Sequence, residues 1–348
     1  MSQSNPMLLK DLLSKLLPTA ELAKLETITI KGISLDNRTL DSDWLFVAIN
    51  GSQCDGRRFS ANALKQGAAA VLSELAPEQV SYVELTADGA IVHLSDLVAQ
   101  LSQLAGDFYG QPSQHLTLIG VTGTNGKTTV TQLIAQWLEL LGQRTYTLGT
   151  LGNGFIEALE PSINTTLNAI DVQRHLAQAV AAGATYAVME VSSHGLALHR
   201  IADLTFDVAA FTNLSRDHLD FHGDMAGYAA AKQQLFSAKH CLQAVLNGQD
   251  PVARQWLDQW DSKVKVSCFN QRQPDVEQYL VATNVSYHTG GIDATIATNQ
   301  QQGQLNSQLL GAFNLENILA ALNILVSAGF ALEQLLELAP QLSPVAGR

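Results

Sequence analysis

The segment from Leu116 to Gly142 constrains this chain more than any other. An apolar run, LTLIGVT, enters a glycine-rich turn, GTNG, which opens at once into KTTVTQLIAQWLELLG. The run has the near-continuous hydrophobicity of a strand buried on both faces of a parallel sheet. Beyond the turn, Val130, Leu133, Ile134, Trp137, Leu138 and Leu141 recur at helical spacing, and Gly142 supplies a stop. In a strand–turn–helix unit of this kind, backbone N–H groups of the turn converge on phosphate oxygens, and the helix N-terminus adds positive potential. Lys127 can reach the outer phosphates, and the Thr128 hydroxyl can ligate Mg²⁺. The strict phosphate-loop pattern asks for glycine five residues before Gly126, where this chain has Val121.

The remainder alternates in the same way. Strands are predicted at Tyr186–Glu190, Val208–Thr212, Ala244–Asn247 and Val264–Phe269, with helices between several of them. That alternation predicts an α/β fold with a central, doubly wound, mostly parallel sheet. Residues 279–310 read instead as hairpins, and helices return at Asn314–Ala328 and Leu332–Leu338. Upstream, the runs ITIKGI, WLFVAI, AAAVLS, VSYVEL and AIVHL predict a small N-terminal α/β domain closed by a helix over Leu97–Tyr109. Leucines from Leu8 to Leu17 fall at helical spacing and predict a surface helix. The turn at Gly110 to Ser113 marks a boundary, giving domains at 1–110 and 111–343 and a linker beginning at 344–348.

Composition narrows the function classes. With 46% hydrophobic residues the chain can build two ordinary cores. A net charge of −12 argues against nonspecific binding to nucleic acid or anionic lipid. No run of about 18 apolar residues occurs, so no membrane span is expected. Cys54, Cys241 and Cys268 are scattered and odd in number, which suggests a reducing compartment and no structural zinc. A soluble, cytoplasmic protein is the expectation.

Four further segments are candidates for chemistry. Glu190 ends an apolar strand, on the face where doubly wound sheets bind ligands, and can hold Mg²⁺ or be a satisfied strand-end carboxylate. After the next strand, Asp217, His218, Asp220 and His222 crowd together. The four-residue histidine spacing brings zinc into consideration, but no cysteine lies near and the phosphate-binding turn already calls for magnesium; taken alone, the four residues read as a plain polar loop. Lys232, in YAAAKQQLF, reads as a solvated helix lysine, and Asn164-Thr165-Thr166 as a polar loop or cap.

Together these segments resemble the Mur ligase family. The likeness runs through LDNR at 35, DGRRF at 55, GTNGKTT, NTT at 164, EVSSHGL at 190, TNLSRDHLDFHG at 212, YAAAKQQLF at 228 and FNLENILAA at 313. It implies an ATP-dependent ligase of peptidoglycan precursor synthesis. The member activity most resembled adds meso-diaminopimelate to the D-Glu of a UDP-linked muramyl dipeptide through an acyl phosphate. A lysine-adding member, or an ATP-binding fragment without ligase activity, is the alternative.

Carried over by resemblance, Gly123, Thr124, Asn125, Gly126, Lys127, Thr128 and Thr129 hold ATP, with Asn314 and Asn317 near the adenine. Thr128 and Glu190 serve one Mg²⁺. His218 and Lys232, the latter as N6-carboxylysine, serve a second, so Lys127, Lys232 and His218 form the catalytic set. Dipeptide contacts fall at Asn164, Thr165, Thr166, Ser192 and Arg200, and uridine contacts at Leu35, Asn37, Ser52, Gln53 and Cys54. Asn37, Ser52 and Leu198 depart from residues seen in relatives, and Leu198 has no side-chain hydrogen bond to offer. The family also has a C-terminal Rossmann-like domain with an Asp-Asn-Pro-Arg segment that does not occur here. The chain is therefore expected to stop in a linker at Pro344–Arg348, to bind both substrates as a monomer, and to form no tripeptide alone.

Overall fold

The computed structural model describes residues 6–51, 54–162, 164–260, 263–273 and 276–345. They divide into two compact units. The first takes in the described residues up to Pro112 with Asn168–Ala181 and Leu198–Asp203; the second takes in Ser113–Leu167, Ala182–Ala197 and those from Leu204 onward. Both are α/β with mixed sheets. The helix at Ala169–Ala181 thus belongs to the first unit although its chain neighbours belong to the second.

In the first unit, β1 (Met7–Leu8) and β2 (Thr29–Ile30) form a short antiparallel pair. The main sheet contains β3 (Gly32–Ser34), β4 (Trp44–Ala48), β5 (Ala70–Leu75), β6 (Tyr82–Thr86) and β7 (Gly89–Ser95), ordered β3-β4-β5-β7-β6. Only the β6–β7 hairpin is antiparallel. Alternate residues of β4 feed two separate cores. Leu45 and Val47 join Leu101 and Leu104 of the Leu97–Tyr109 helix, whereas Phe46 and Ala48 join Ala63 and Leu64. That period of two explains why the strand reads as one continuous apolar run.

The N-terminal leucines fold differently from the expected surface helix. Only Leu9–Leu12 forms an α-helix, and Leu9, Leu12, Leu13 and Leu17 are buried in the core of the unit. The spacing reports an apolar stripe, which this sheet covers, and Pro18 disfavours helical backbone at Leu17.

The second unit is built on one ten-stranded sheet. Its strands are β8 (Thr117–Thr122), β9 (Thr145–Gly149), β10 (Gly152–Phe155), β11 (Tyr186–Glu190), β12 (Phe206–Phe211), β13 (Cys241–Asn247), β14 (Lys265–Phe269), β15 (Gln278–His288), β16 (Gly291–Thr298) and β17 (Gln302–Ser307). Their order is β10-β9-β11-β8-β12-β13-β14-β15-β16-β17. From β9 to β15 all neighbours are parallel; β10 at one edge and β16–β17 at the other are antiparallel. The hairpins expected at 279–310 therefore extend the parallel sheet.

The strand order reverses at β8: β9 and β11 lie to one side, β12 to β14 to the other. Connections leaving the C-terminal end of β8 diverge there, which opens a crevice at that point. The helix that follows, Lys127–Leu140, buries Val130, Leu133, Ile134, Trp137 and Leu138, and Trp137 Nε1 donates to the Leu335 carbonyl at 3.0 Å. Each buried Val, Leu or Ile contributes about 1.5–3 kcal/mol relative to exposure in water. That anchorage fixes the helix start and the turn before it.

Candidate active site

The turn between β8 and its helix is clamped from β12. Thr124 N donates to the Asn213 carbonyl at 2.8 Å, Asn125 N to Asn213 Oδ1 at 3.0 Å, and Thr212 Oγ1 to the Asn125 carbonyl at 2.6 Å. Ser215 N donates to Thr124 Oγ1 at 3.0 Å. The Thr212–Ser215 segment is held in turn, with Asn247 Nδ2 donating to the Thr212 carbonyl at 2.8 Å and Leu214 N to Asp250 Oδ2 at 2.9 Å. Gly123 adopts φ +145°, and a Cβ there would run into Thr212 Oγ1, so only glycine lets the two segments approach. Lys127 Nζ reaches back to the Gly123 and Thr124 carbonyls, 2.9 Å from each. Gly126 forms the N-cap, and no described side chain caps the helix start. A Cβ on Gly126 would lie 2.6 Å from Asn317 Oδ1, so the helix bearing Asn314 and Asn317 packs directly on the turn.

Glu190 closes β11 beside this turn and is 1% exposed. Its carboxylate accepts from Thr128 Oγ1 at 3.0 Å, Thr150 N at 2.8 Å and Thr150 Oγ1 at 3.1 Å. The Asn164–Thr166 motif joins the same corner. Thr166 Oγ1 donates to the Glu190 carbonyl at 2.9 Å and accepts from Ser192 N at 2.9 Å, and Thr165 Oγ1 lies 3.2 Å from Thr150 Oγ1. Asn164 is exposed. Two hard oxygens, the Thr128 hydroxyl and a Glu190 carboxylate oxygen, thus lie together where the helix begins, the donor type that magnesium takes.

Lys232 overturns the expectation of a solvated helix lysine, for it is 1% exposed. Its Nζ donates to the Gly123 carbonyl at 2.9 Å and stands 4.7 Å from the centre of the Tyr228 ring. Burial, reinforced by the Lys127 charge and opposed by Asp217, pulls its pKa down to about 7. Near neutral pH, then, much of this amine is unprotonated and nucleophilic. His218 lies across the same ring, 6.1 Å between centroids, on a half-exposed loop with φ +50°. Among the described residues no group of three or more His, Cys, Asp or Glu is disposed to hold a metal, so Asp217, His218, Asp220 and His222 do not make a ready-formed zinc site.

In the first unit, Leu35 lines a cavity of about 350 Å³ with Ser34, Asp36, Thr39, Trp44 and Arg174. Asn37 begins a turn held by the Asp36 carboxylate, which accepts from Arg38 N at 2.9 Å. Cys54 is exposed, while Ser52 and Gln53 lie outside the described residues. Arg200 is half-buried, and desolvation lowers its pKa. Leu198 is exposed. Sequence reasoning did not single out Thr150, Thr212, Asn213 or Tyr228. Thr212 and Asn213 open the TNLSRDHLDFHG segment and Tyr228 the YAAAKQQLF segment, both part of the resemblance but without a role there for these three residues; Thr150 gave no signal.

A sequence profile described as the Mur ligase middle domain matches residues 121–325, and one described as the Mur ligase family, catalytic domain, matches residues 29–109. The chain belongs to the Mur ligase family. One Mur ligase relative, UDP-N-acetylmuramoyl-L-alanyl-D-glutamate–2,6-diaminopimelate ligase of Vibrio cholerae, is 46% identical over 326 residues, covering 93% of this chain and 65% of its own. A solved structure of a ligase with that name superposes with a TM-score of 0.80 at 32% identity, again over 93% of this chain and 65% of the other. The chain thus spans just under two thirds of the length of these relatives. MurF from Acinetobacter baumannii shares the fold alone, with a TM-score of 0.68 at 20% identity over 99% of this chain and 70% of its own.

Proposed function

We propose that the protein is an ATP-dependent ligase that adds meso-diaminopimelate to the D-Glu of UDP-N-acetylmuramoyl-L-alanyl-D-glutamate in cytoplasmic peptidoglycan precursor synthesis. The observation that carries this reading is the convergence, at the C-terminal end of β8, of a clamped glycine turn, the Thr128–Glu190 oxygen pair and the buried Lys232 amine. The 46% identity to a ligase bearing that name supports the choice of substrates.

The chemistry follows from these parts. ATP transfers its γ-phosphoryl group to the D-Glu side-chain carboxylate, releasing ADP and leaving an acyl phosphate. The diaminopimelate amine then attacks the acyl carbon; the C–N bond forms, phosphate departs with the C–O bond, and the amine loses a proton. Phosphoryl transfer of this kind asks for positioning and charge neutralisation from the protein. The Gly123–Thr129 backbone and the uncapped helix start would cradle the phosphates, with Lys127 turning from its loop carbonyls to the outer ones. Asn314 and Asn317 would lie toward the base. Thr165, Thr166 and Ser192 would meet the dipeptide in the second unit, while Arg200 and the Leu35–Asn37 turn are the contacts proposed in the first.

Thr128 and Glu190 fit one Mg²⁺ by donor type, and His218 with Lys232 would hold a second once Lys232 carries a carbamate, which turns a cation into an oxygen donor. Bound magnesium would supply neutralisation of phosphate charge. The test is phosphate release from ATP with and without the UDP-linked dipeptide. Release that requires the dipeptide supports the reading; equal release without it contradicts the reading.

A further inference from the structure

His222 has no role in the scheme above, yet its ring sits in the middle of a continuous contact path. Its Nε2 lies 2.9 Å from Ser193 Oγ, in the helical turn that follows Glu190. The ring packs against Tyr228, with centroids 5.1 Å apart and 30° between planes. Tyr228 is 1% exposed, and its hydroxyl is 3.2 Å from Thr124 Oγ1 in the glycine turn. His194, next to Ser193, packs its ring on Phe221 at 4.2 Å and edge-on to His218 at 4.8 Å.

We propose that Ser193, His222 and Tyr228 form a strut that fixes the His218 loop between the Glu190 turn and the phosphate loop, making His222 and Tyr228 positioning residues. The loop has need of one. Asp217 and His218 are each about half exposed, and His218 holds a left-handed backbone that a non-glycine residue adopts at a cost. A segment with so little apolar burial opens readily unless side chains pin it. Here the pins run to both walls of the crevice, so one ring pair sets the separation of His218 from Glu190 and of Tyr228 from the glycine turn. Because Lys232 lies one helical turn beyond Tyr228, the same strut orients the buried amine. What the strut positions rests on the ligase reading; that it exists as a mechanical element does not.

The experiment is hydrogen–deuterium exchange of the ligand-free protein, followed by Mg²⁺ titration of nucleotide binding. In His222→Ala the amides between Ser215 and Gly223 exchange about tenfold faster, and half-saturating Mg²⁺ rises by a similar factor, as expected when a hydrogen bond and a ring contact are lost. His222→Gln, whose amide can still reach Ser193 Oγ but which lacks the ring contact with Tyr228, restores part of both. Ser193→Ala added to His222→Ala is no worse than His222→Ala alone, because the bond it would remove is already gone. Unchanged exchange in His222→Ala, or additive losses in the double variant, would overturn the strut. Retained nucleotide binding in Lys127→Ala overturns only the ligase reading, so the two failures are distinct.

Discussion

The Thr128 hydroxyl donates to the Glu190 carboxylate across 3.0 Å, tying the first turn of one helix to the C-terminal end of the neighbouring strand. Both residues are buried, and Thr150 also holds the Glu190 carboxylate, through its N–H and its hydroxyl. A carboxylate so fixed would lose little freedom on meeting a cation.

Glu190→Gln therefore keeps the shape of the corner and removes its charge. Nucleotide binding in this variant should require about tenfold or more higher Mg²⁺ than in the parent, while Thr128→Ser, which retains the hydroxyl, stays within about threefold. Titration of Mg²⁺ against a fluorescent ATP analogue measures both. Equal Mg²⁺ dependence in Glu190→Gln would remove this carboxylate from the metal site.

Gly149 shows how tightly that corner is packed, since a Cβ there would overlap Glu190 Oε1. Gly149→Ala should lower stability by about 1–3 kcal/mol through overpacking and weaken Mg²⁺-dependent nucleotide binding together with it. Chemical denaturation at neutral pH checks the first effect. A fully stable variant with unaltered binding would mean that the carboxylate has room to move.

The glycine turn, its helix and the parallel strands were legible in the sequence because each rests on local pattern: apolar run, glycine, then a 3.6-residue period. Of the face read as Val130, Leu133, Ile134, Trp137, Leu138 and Leu141, the first five are buried and Leu141 is partly buried. What the pattern could not carry was anything set by long-range contact. Lys232 is buried because Tyr228, on its own helix, and the Gly123 carbonyl, more than a hundred residues away, surround it. Thr150 meets Glu190 only through the sheet order, and the Thr212–Asn213 clamp exists only because β12 pairs with β8. The N-terminal leucines misled in the opposite sense, since an amphipathic period shows that a face is apolar and not how long the helix runs.

Lys232 gives a pH signature. Its pKa is lowered from 10.5 to about 7 in the folded chain, so between those values the unfolded state binds the extra proton. Stability should then rise with pH from about 7 toward 10, and the charge penalty is fully present below about 7. Lys232→Met should flatten that rise and gain relative to the parent as pH falls. Denaturant unfolding at a series of pH values decides it; parallel curves for the two proteins would contradict the burial argument.

The same unprotonated amine should capture carbon dioxide. With ¹³C-labelled bicarbonate at mildly alkaline pH, a carbamate carbon signal is expected in the parent and absent from Lys232→Ala. A spectrum without that signal in the parent would count against N6-carboxylysine at this position.

The central claim is that one crevice at the end of β8 receives ATP while the chain separately holds the UDP-linked dipeptide. Calorimetric titration of Mg²⁺ and a non-hydrolysable ATP analogue, and then of UDP-N-acetylmuramoyl-L-alanyl-D-glutamate, into the parent protein and Lys127→Ala tests it most directly. The account predicts that the parent binds both ligands, and that Lys127→Ala loses nucleotide affinity by about a hundredfold, the worth of a charge-assisted contact to phosphate, while keeping the dipeptide. Nucleotide affinity unchanged in Lys127→Ala, or no binding of the dipeptide to the parent, would contradict it.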